Sequence, residues 1–288
     1  MAKVSFIGLG VMGGPMAGHL AAAGHDVTVY NRSGDKMAEW LQRHAGKSGA
    51  TPALAAEGAD AVFTCVGADA DLEEVLLGPD GAFATMRPGA LFVDHTTVSA
   101  RIARRLAAEG QERGLLVVDA PVSGGQAGAE NGTLSIMCGA THEAFGRAQP
   151  LMQAYAARIV HVGEPGAGQT AKMCNQIAIA GVIQGVAESL RFAQAAGLDT
   201  DKVFEAISAG AAGSWQMQNR WATMAQDQFD FGFAVNWMRK DLGLALEEAR
   251  INGATLPVAA LVDQFYAEVQ QMGGGRQDTS SIVRRLGR

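Results

Sequence analysis

Two short stretches of this 288-residue chain place polar groups where apolar or glycine-rich neighbours make them costly. In Gly166-x-Gly168-x-x-x-Lys172-x-x-Asn175-Gln176, Lys172 and Asn175 or Gln176 lie three or four residues apart. That spacing sets them on one face of a helix, beside Ala171, Met173, Cys174 and Ile177. A lysine is rarely buried without purpose. Apolar surroundings and a neighbouring cation both favour its neutral amine, which suits it to take and give a proton. The plainer reading is a lysine that snorkels to the surface from the start of the helix. In Ser123-Gly124-Gly125, behind an apolar strand, backbone N–H groups and a hydroxyl could hold a small carboxylate. The plainer reading there is a strand-to-helix turn capped by serine.

A third stretch supplies the setting for such chemistry. Val4 to Ile7 has strand character and leads into Gly8-x-Gly10-x-x-Gly13. A helical run follows (Met16, Ala17, Leu20, Ala21), stops at Gly24, and gives way to a second β-branched strand ending at Asn31. Strand, glycine turn, helix and strand in this register form the dinucleotide fingerprint, with the pyrophosphate on the helix N-terminus. An NAD site usually has Asp or Glu at the end of the second strand, about 20 residues on, to hold the ribose 2′-hydroxyl. Here Asn31, Arg32 and Ser33 stand in that place, with Lys36 one turn later. No carboxylate there repels a 2′-phosphate, and a guanidinium can pair with one. The plainer reading of Arg32 is a solvated loop arginine; the expected cofactor is NADP, with NAD second.

The elements that must position these groups follow from the pattern. From 1 to 162, short apolar strands alternate with amphipathic helices, which predicts a parallel sheet covered on both faces. Expected strands run over 61–66, 90–94, 115–119, 133–138 and 158–162. The loop from Gly67 to Asp71 lies at the carboxyl edge, where ligands bind in such sheets. Ser99 reads as the N-cap of a helix ending near Gly114. From 163 to 288 the pattern is helical: a long first helix over 169–196, then helices over 201–209, 214–224, 235–252, 257–272 and 280–286. The fold class is therefore an α/β Rossmann-type domain, 1–162, followed by an all-α domain, 163–288.

Composition narrows the function. With 48% hydrophobic residues the chain can bury a sizeable core or two. A net charge of −6, with the signs interspersed, argues against nucleic acid as a partner. The three cysteines, Cys65, Cys138 and Cys174, are far apart, which fits a reducing compartment and gives no metal-ligand spacing. The longest later apolar stretch, from Ile177 to Val186, is too short to span a bilayer. No metal is expected, and the expected location is cytoplasmic.

The motifs together resemble the β-hydroxyacid dehydrogenase family, which includes 3-hydroxyisobutyrate dehydrogenase, tartronate semialdehyde reductase and glyoxylate/succinic semialdehyde reductase. They are Gly8-Leu9-Gly10-x-Met12-Gly13-x-Pro15-Met16-Ala17; Asp119-Ala120-Pro121-Val122-Ser123-Gly124-Gly125 with Gly128 and Gly132-Thr133-Leu134; Gly168-x-x-x-Lys172-x-x-Asn175; and Lys240-Asp241-Leu242. The resemblance covers the whole chain. It implies an interdomain helix, a homodimer or homotetramer, and a small carboxylate-bearing aldehyde or hydroxy acid as substrate. It also implies Lys172 as general acid/base, protonating the carbonyl oxygen in reduction and taking the proton back in oxidation. Ser123 and Gly124 would bind the substrate carboxylate, and Asn175 would orient substrate or lysine. The implied cofactor set is Gly8, Gly10, Val11, Met12, Gly13, Asn31, Arg32, Ser33, Val66, Thr96 and Lys240, with Thr96 near the nicotinamide and Lys240 closing over the site.

Two positions depart from the family pattern. Many members carry Met-Leu-Pro where this chain has Cys65-Val66-Gly67. Some have Asn where this chain has Gln176, which leaves open whether Asn175 or Gln176 faces the substrate. The Asn31-Arg32 pair is closer to the NADPH-using glyoxylate/succinic semialdehyde reductases. Trp215, Phe231 and Trp237 are candidates for the specificity pocket, with core or dimer interface the plainer reading of each. The related reading is an imine reductase, against which Lys172 argues. The non-enzyme reading is a dinucleotide-binding scaffold, against which Ser123, Lys172 and Asn175 argue together.

Overall fold

A computed structural model describes residues 1–287. Its contacts divide the chain into two compact units, Met1–Lys172 and a second beginning at Met173.

The first unit opens with β1 (Lys3–Ile7), α1 (Gly13–Ala22), β2 (Asp26–Tyr30), α2 (Gly34–Arg43), β3 (Lys47–Ser48) and α3 (Pro52–Ala56). It continues through β4 (Ala61–Thr64), α4 (Asp69–Leu77), β5 (Leu91–Asp94), α5 (Ala100–Glu112), β6 (Leu116–Asp119) and β7 (Val122–Ser123). It ends with α6 (Gly125–Glu130), β8 (Leu134–Ala140), α7 (His142–Met152), β9 (Ala156–Gly163) and the first residues of α8 (Ala167–Ala195). The strands form one sheet in the order β3-β2-β1-β4-β5-β6-β8-β7, with β9 paired to β8.

Alternate residues of the central strands enter two separate cores. Phe63 and Val93 pack with Phe6, Leu20 and Met16 on one face. Val62 and Phe92 pack with Leu72, Leu76, Ile102 and Leu106 on the other. Burial on both faces is why these strands read as continuous apolar runs.

The expectation of a parallel sheet holds from β3 to β6 and fails beyond it. β8 runs antiparallel to β6 and β7 and parallel only to β9. Between β7 and β8 lie only the six-residue α6 and a glycine turn, which is short for the crossover that a parallel neighbour needs. The sheet is mixed. The loop expected at Gly67–Asp71 is also shorter than read, because α4 already starts at Asp69.

In the second unit, α8 continues and is followed by α9 (Thr200–Ile207), α10 (Trp215–Ala225), α11 (Val235–Asn252) and α12 (Pro257–Gln271). Its core joins Ile183, Leu190, Trp221, Met238, Leu242 and Tyr266. The last helix, expected over 280–286, is a 3₁₀ helix over Thr279–Leu286. Asp278 accepts hydrogen bonds from the Ser280 N–H and hydroxyl, and its carbonyl accepts one from the Ser281 N–H. Those bonds tighten the backbone into i→i+3 geometry. No helix among the described residues is long and apolar enough to cross a membrane.

Candidate active site

β1, β4, β5 and β6 are parallel neighbours, so their carboxyl ends meet at one edge of the sheet. β1 lies between β2 and β4, where the winding of the sheet reverses. Such a switch point opens the crevice that receives nucleotides.

The glycine loop leaves β1 at this edge, and its three glycines do different work. Gly8 has φ +101°, and a Cβ there would stand 2.2 Å from the Cys65 carbonyl oxygen. At Gly13 a Cβ would fall 1.9 Å from the Gly8 oxygen, so only glycine lets α1 begin this close to the strand. At Gly10 a Cβ would meet nothing within 4 Å. The space beside Gly10 is open, and Met12 gives the helix start no side-chain cap. A cradle that a Cβ would fill, in front of a helix N-terminus without a side-chain cap, fits a pyrophosphate. Val11 beside it is exposed.

Asn31, at the end of β2, holds the loop from outside. Its Oδ1 accepts the Leu9 N–H at 3.0 Å, and its Nδ2 donates to the Ser33 carbonyl at 3.1 Å. The Arg32 side chain is 91% exposed and 3.6 Å from the Asp71 carboxylate.

Beyond β4 and β5 the edge is polar and buried. Asp94 accepts the Thr64 hydroxyl at 2.7 Å and the Thr96 N–H at 3.0 Å. The Thr96 hydroxyl in turn accepts the Val66 N–H at 3.0 Å. Thr96 and Val66 are thus brought together, with the Thr96 hydroxyl engaged by the protein itself. Burial pushes the Asp94 carboxyl up to about 7 against these hydrogen bonds. His95 Nδ1 lies 2.7 Å from the Ala120 carbonyl, and Nε2 lies 2.8 Å from the Tyr155 hydroxyl. A carbonyl can only accept, so Nδ1 carries the proton and the tyrosine donates to Nε2. Burial pulls the imidazole down to about 4, which keeps it neutral.

β6 ends in Asp119, and the chain passes through Ser123 to Gly124, where φ is +130°. Ser123 is half-buried and Gly124 exposed. The Asp119 carboxylate reaches the start of α8, accepting the Gly166 N–H at 2.7 Å and the Gln169 N–H at 2.9 Å. One turn along α8 stands Lys172, 8% exposed.

In the second unit, Asn175 Nδ2 donates to Gln176 Oε1 at 2.8 Å, and Gln176 Nε2 donates to Asp241 Oδ2 at 2.7 Å. Lys240 Nζ is 3.3 Å from Asp241 Oδ1 and 5.6 Å from the Trp237 ring centre. Both ends of the buried Gln176 amide are engaged, whereas Asn175 is only half-buried. Trp215, Phe231 and Trp237 are exposed rather than core, and the first two flank the Arg220 guanidinium at 4.8 and 4.9 Å.

Residues 3–163 match the model for the NAD binding domain of 6-phosphogluconate dehydrogenase, and residues 166–286 match that for the NAD-binding domain of NADP-dependent 3-hydroxyisobutyrate dehydrogenase. An uncharacterized oxidoreductase of Shewanella frigidimarina is 60% identical over 99% of this chain and 98% of its own. The 3-hydroxyisobutyrate dehydrogenase of Pseudomonas aeruginosa is 36% identical over 93% of this chain and 92% of its own. The chain belongs to the β-hydroxyacid dehydrogenase family. A solved 3-hydroxyisobutyrate dehydrogenase of Mycobacterium tuberculosis, with L-serine, superposes with a TM-score of 0.91 at 31% identity, covering all of both chains. Membership makes the protein an oxidoreductase that binds a nicotinamide dinucleotide and acts on CH–OH donors.

For a β-hydroxyacid dehydrogenase, the candidate side chains expected from sequence range from exposed Val11 and Arg32, through half-buried Ser123 and Asn175, to buried Thr96 and Lys172. The supports beneath them, Asp94, His95, Tyr155 and Gln169, were not foreseen. Asp119 was visible as part of a motif, but its partners lie 47 and 50 residues away. A polar residue at the end of an apolar strand was the available signal; its partner was not.

Proposed function

We propose that the protein transfers hydride between NADP(H) and a small 3-hydroxy acid or its semialdehyde, with Lys172 as general acid/base. The observation that carries this reading is a buried lysine on a helix whose start is tied to the carboxyl edge of a dinucleotide-binding sheet. In reduction Lys172 protonates the substrate carbonyl oxygen; in oxidation it removes the hydroxyl proton. Ser123 and the backbone at Gly124 receive the carboxylate, and Asn175, three residues along the helix, orients the substrate or the lysine. The nicotinamide coenzyme, when bound, supplies or accepts the hydride.

Gly8, Gly10, Val11, Met12 and Gly13 would hold the pyrophosphate, and Asn31, Arg32, Ser33, Val66, Thr96 and Lys240 the rest of the coenzyme. The NADP preference is supported by the exposed Arg32 guanidinium, whose pairing with Asp71 is a surface contact of little strength. The reading includes a homodimer or homotetramer. A cytoplasmic setting, without nucleic acid, metal or membrane, completes the reading.

The test is cofactor oxidation with NADPH and with NADH across glyoxylate, succinic, methylmalonate and tartronate semialdehydes. Turnover with NADPH and one preferred aldehyde is expected. Turnover with NADH alone overturns the cofactor assignment, and none with either coenzyme overturns the substrate class.

A further inference from the structure

We infer that Asp119 and Gln169 are positioning residues for Lys172: together they fasten the first turn of α8 to the ends of β5 and β6 and fix where the lysine stands. The inference rests on the reading of Lys172 as acid/base.

The N–H groups of a helix's first turn have no partner within the helix and are usually met by a side chain just before it. α8 takes its partner from the end of β6. Asp119, 4% exposed, spends one carboxylate oxygen on Gly166 and the other on Gln169. Gln169 is fully buried and faces the loop after β5. Its Oε1 accepts the Val98 N–H at 3.1 Å, and its Nε2 donates to the Thr96 carbonyl at 2.7 Å. Four hydrogen bonds from two side chains thus join one helical turn to two strand ends.

The backbone approach that permits these bonds is as close as glycine allows. A Cβ at Gly168 would lie 2.5 Å from the Met137 oxygen and 2.6 Å from the Asp119 oxygen, and one at Gly139 would lie 2.4 Å from Asp119 Oδ1. Lys172 follows Gln169 by three residues, so the two share a helix face. The same loop carries Thr96, whose hydroxyl holds the Val66 N–H. Helix and loop therefore keep one geometry, and the lysine's place along the helix is set by the tie beneath it. A shift on the order of 1 Å in a catalytic group costs about 10²-fold in rate.

The test is a double-mutant cycle on single-turnover hydride transfer at saturating NADPH, using the best aldehyde of the panel. Asp119→Asn is expected to lower the rate about 10- to 100-fold in the wild-type background, with NADPH Kd changed less than about twofold because the glycine loop is untouched. In a Lys172→Ala background the same change is expected to cost less than about threefold, because there is no lysine left to misplace. Asp119→Glu, which keeps the carboxylate, is expected to recover part of the loss. An equal cost in both backgrounds overturns the inference, since it marks a purely structural role. Should Asp119→Asn not fold, Gln169→Leu enters the same cycle at saturating NADPH with the same expectations for the two rates. A Lys172→Ala enzyme of near-normal rate would sink the acid/base reading itself, an outcome distinct from additivity in the cycle.

Discussion

At the scale of single residues, Arg32 and Asp71 divide the cofactor question between them. The arginine has open solvent on most sides and one carboxylate 3.6 Å away. A 2′-phosphate brings about two negative charges and can pair with the guanidinium in bidentate fashion, which a 2′-hydroxyl cannot. Arg32→Ala is expected to weaken NADPH about tenfold or more and to change NADH less than threefold. Asp71→Asn, which removes the competing carboxylate, is expected to tighten NADPH alone. Fluorescence titration with both coenzymes checks this; equal losses with both would remove Arg32 from phosphate recognition. The place of Arg32 just beyond the second strand was legible because β-branched residues mark that strand, whereas its neighbour Asp71 lies far along the chain. Asn31 was only half legible. Its place at the end of β2 was evident from sequence, but its amide is spent on Leu9 and Ser33, partners that only the folded loop brings near.

At the scale of elements, the turn between β1 and α1 separates glycines that fold the chain from one that admits a ligand. Gly13→Ala forces a methyl group into the Gly8 carbonyl and is expected to destabilise the apoprotein by about 3 kcal/mol. Gly10→Ala has open space around it and no positive φ, so its apoprotein is expected to melt within about 2 °C of wild type, a change of about half a kcal/mol. That variant should nevertheless lose coenzyme binding, because the methyl group occupies the pyrophosphate's approach. Thermal melts with and without NADPH distinguish the two. A normal coenzyme-induced shift in Gly10→Ala would move the pyrophosphate elsewhere. Most strands and nearly all the longer helices were readable because period and capping are local: Ser99 does cap α5 through the Ile102 N–H. The antiparallel turn of β8 was not readable. Strand direction there depends on connection length and on pairing with β6 and β9, neither of which leaves a mark in the apolar pattern.

At the scale of the whole molecule, the buried titratable groups at the sheet edge set opposing pH dependences of stability. Asp94 and Asp119 are both raised, chiefly by burial, to about 7 and about 6. A carboxyl raised above its usual value of about 4 contributes stability that is complete below pH 4 and is lost as pH climbs through the folded value. His95 is lowered to about 4 by burial, so its contribution is present above about pH 6.5 and is lost as pH falls toward 4. Asp94→Asn keeps an oxygen for Thr64 and Thr96 and removes one titration. Its melting temperature relative to wild type is expected to rise steadily from pH 4 to 7 and then level off. A pH-independent difference would mean that Asp94 does not change its protonation over this range.

The proposed chemistry turns on Lys172. The most direct measurement is the single-turnover rate of NADPH oxidation by Lys172→Ala with the preferred aldehyde, alongside its NADPH Kd. A loss of about 10²- to 10⁴-fold in rate is expected, with coenzyme affinity nearly unchanged, because the lysine acts on the substrate oxygen. A near-normal rate in a folded, coenzyme-binding Lys172→Ala enzyme would contradict that role.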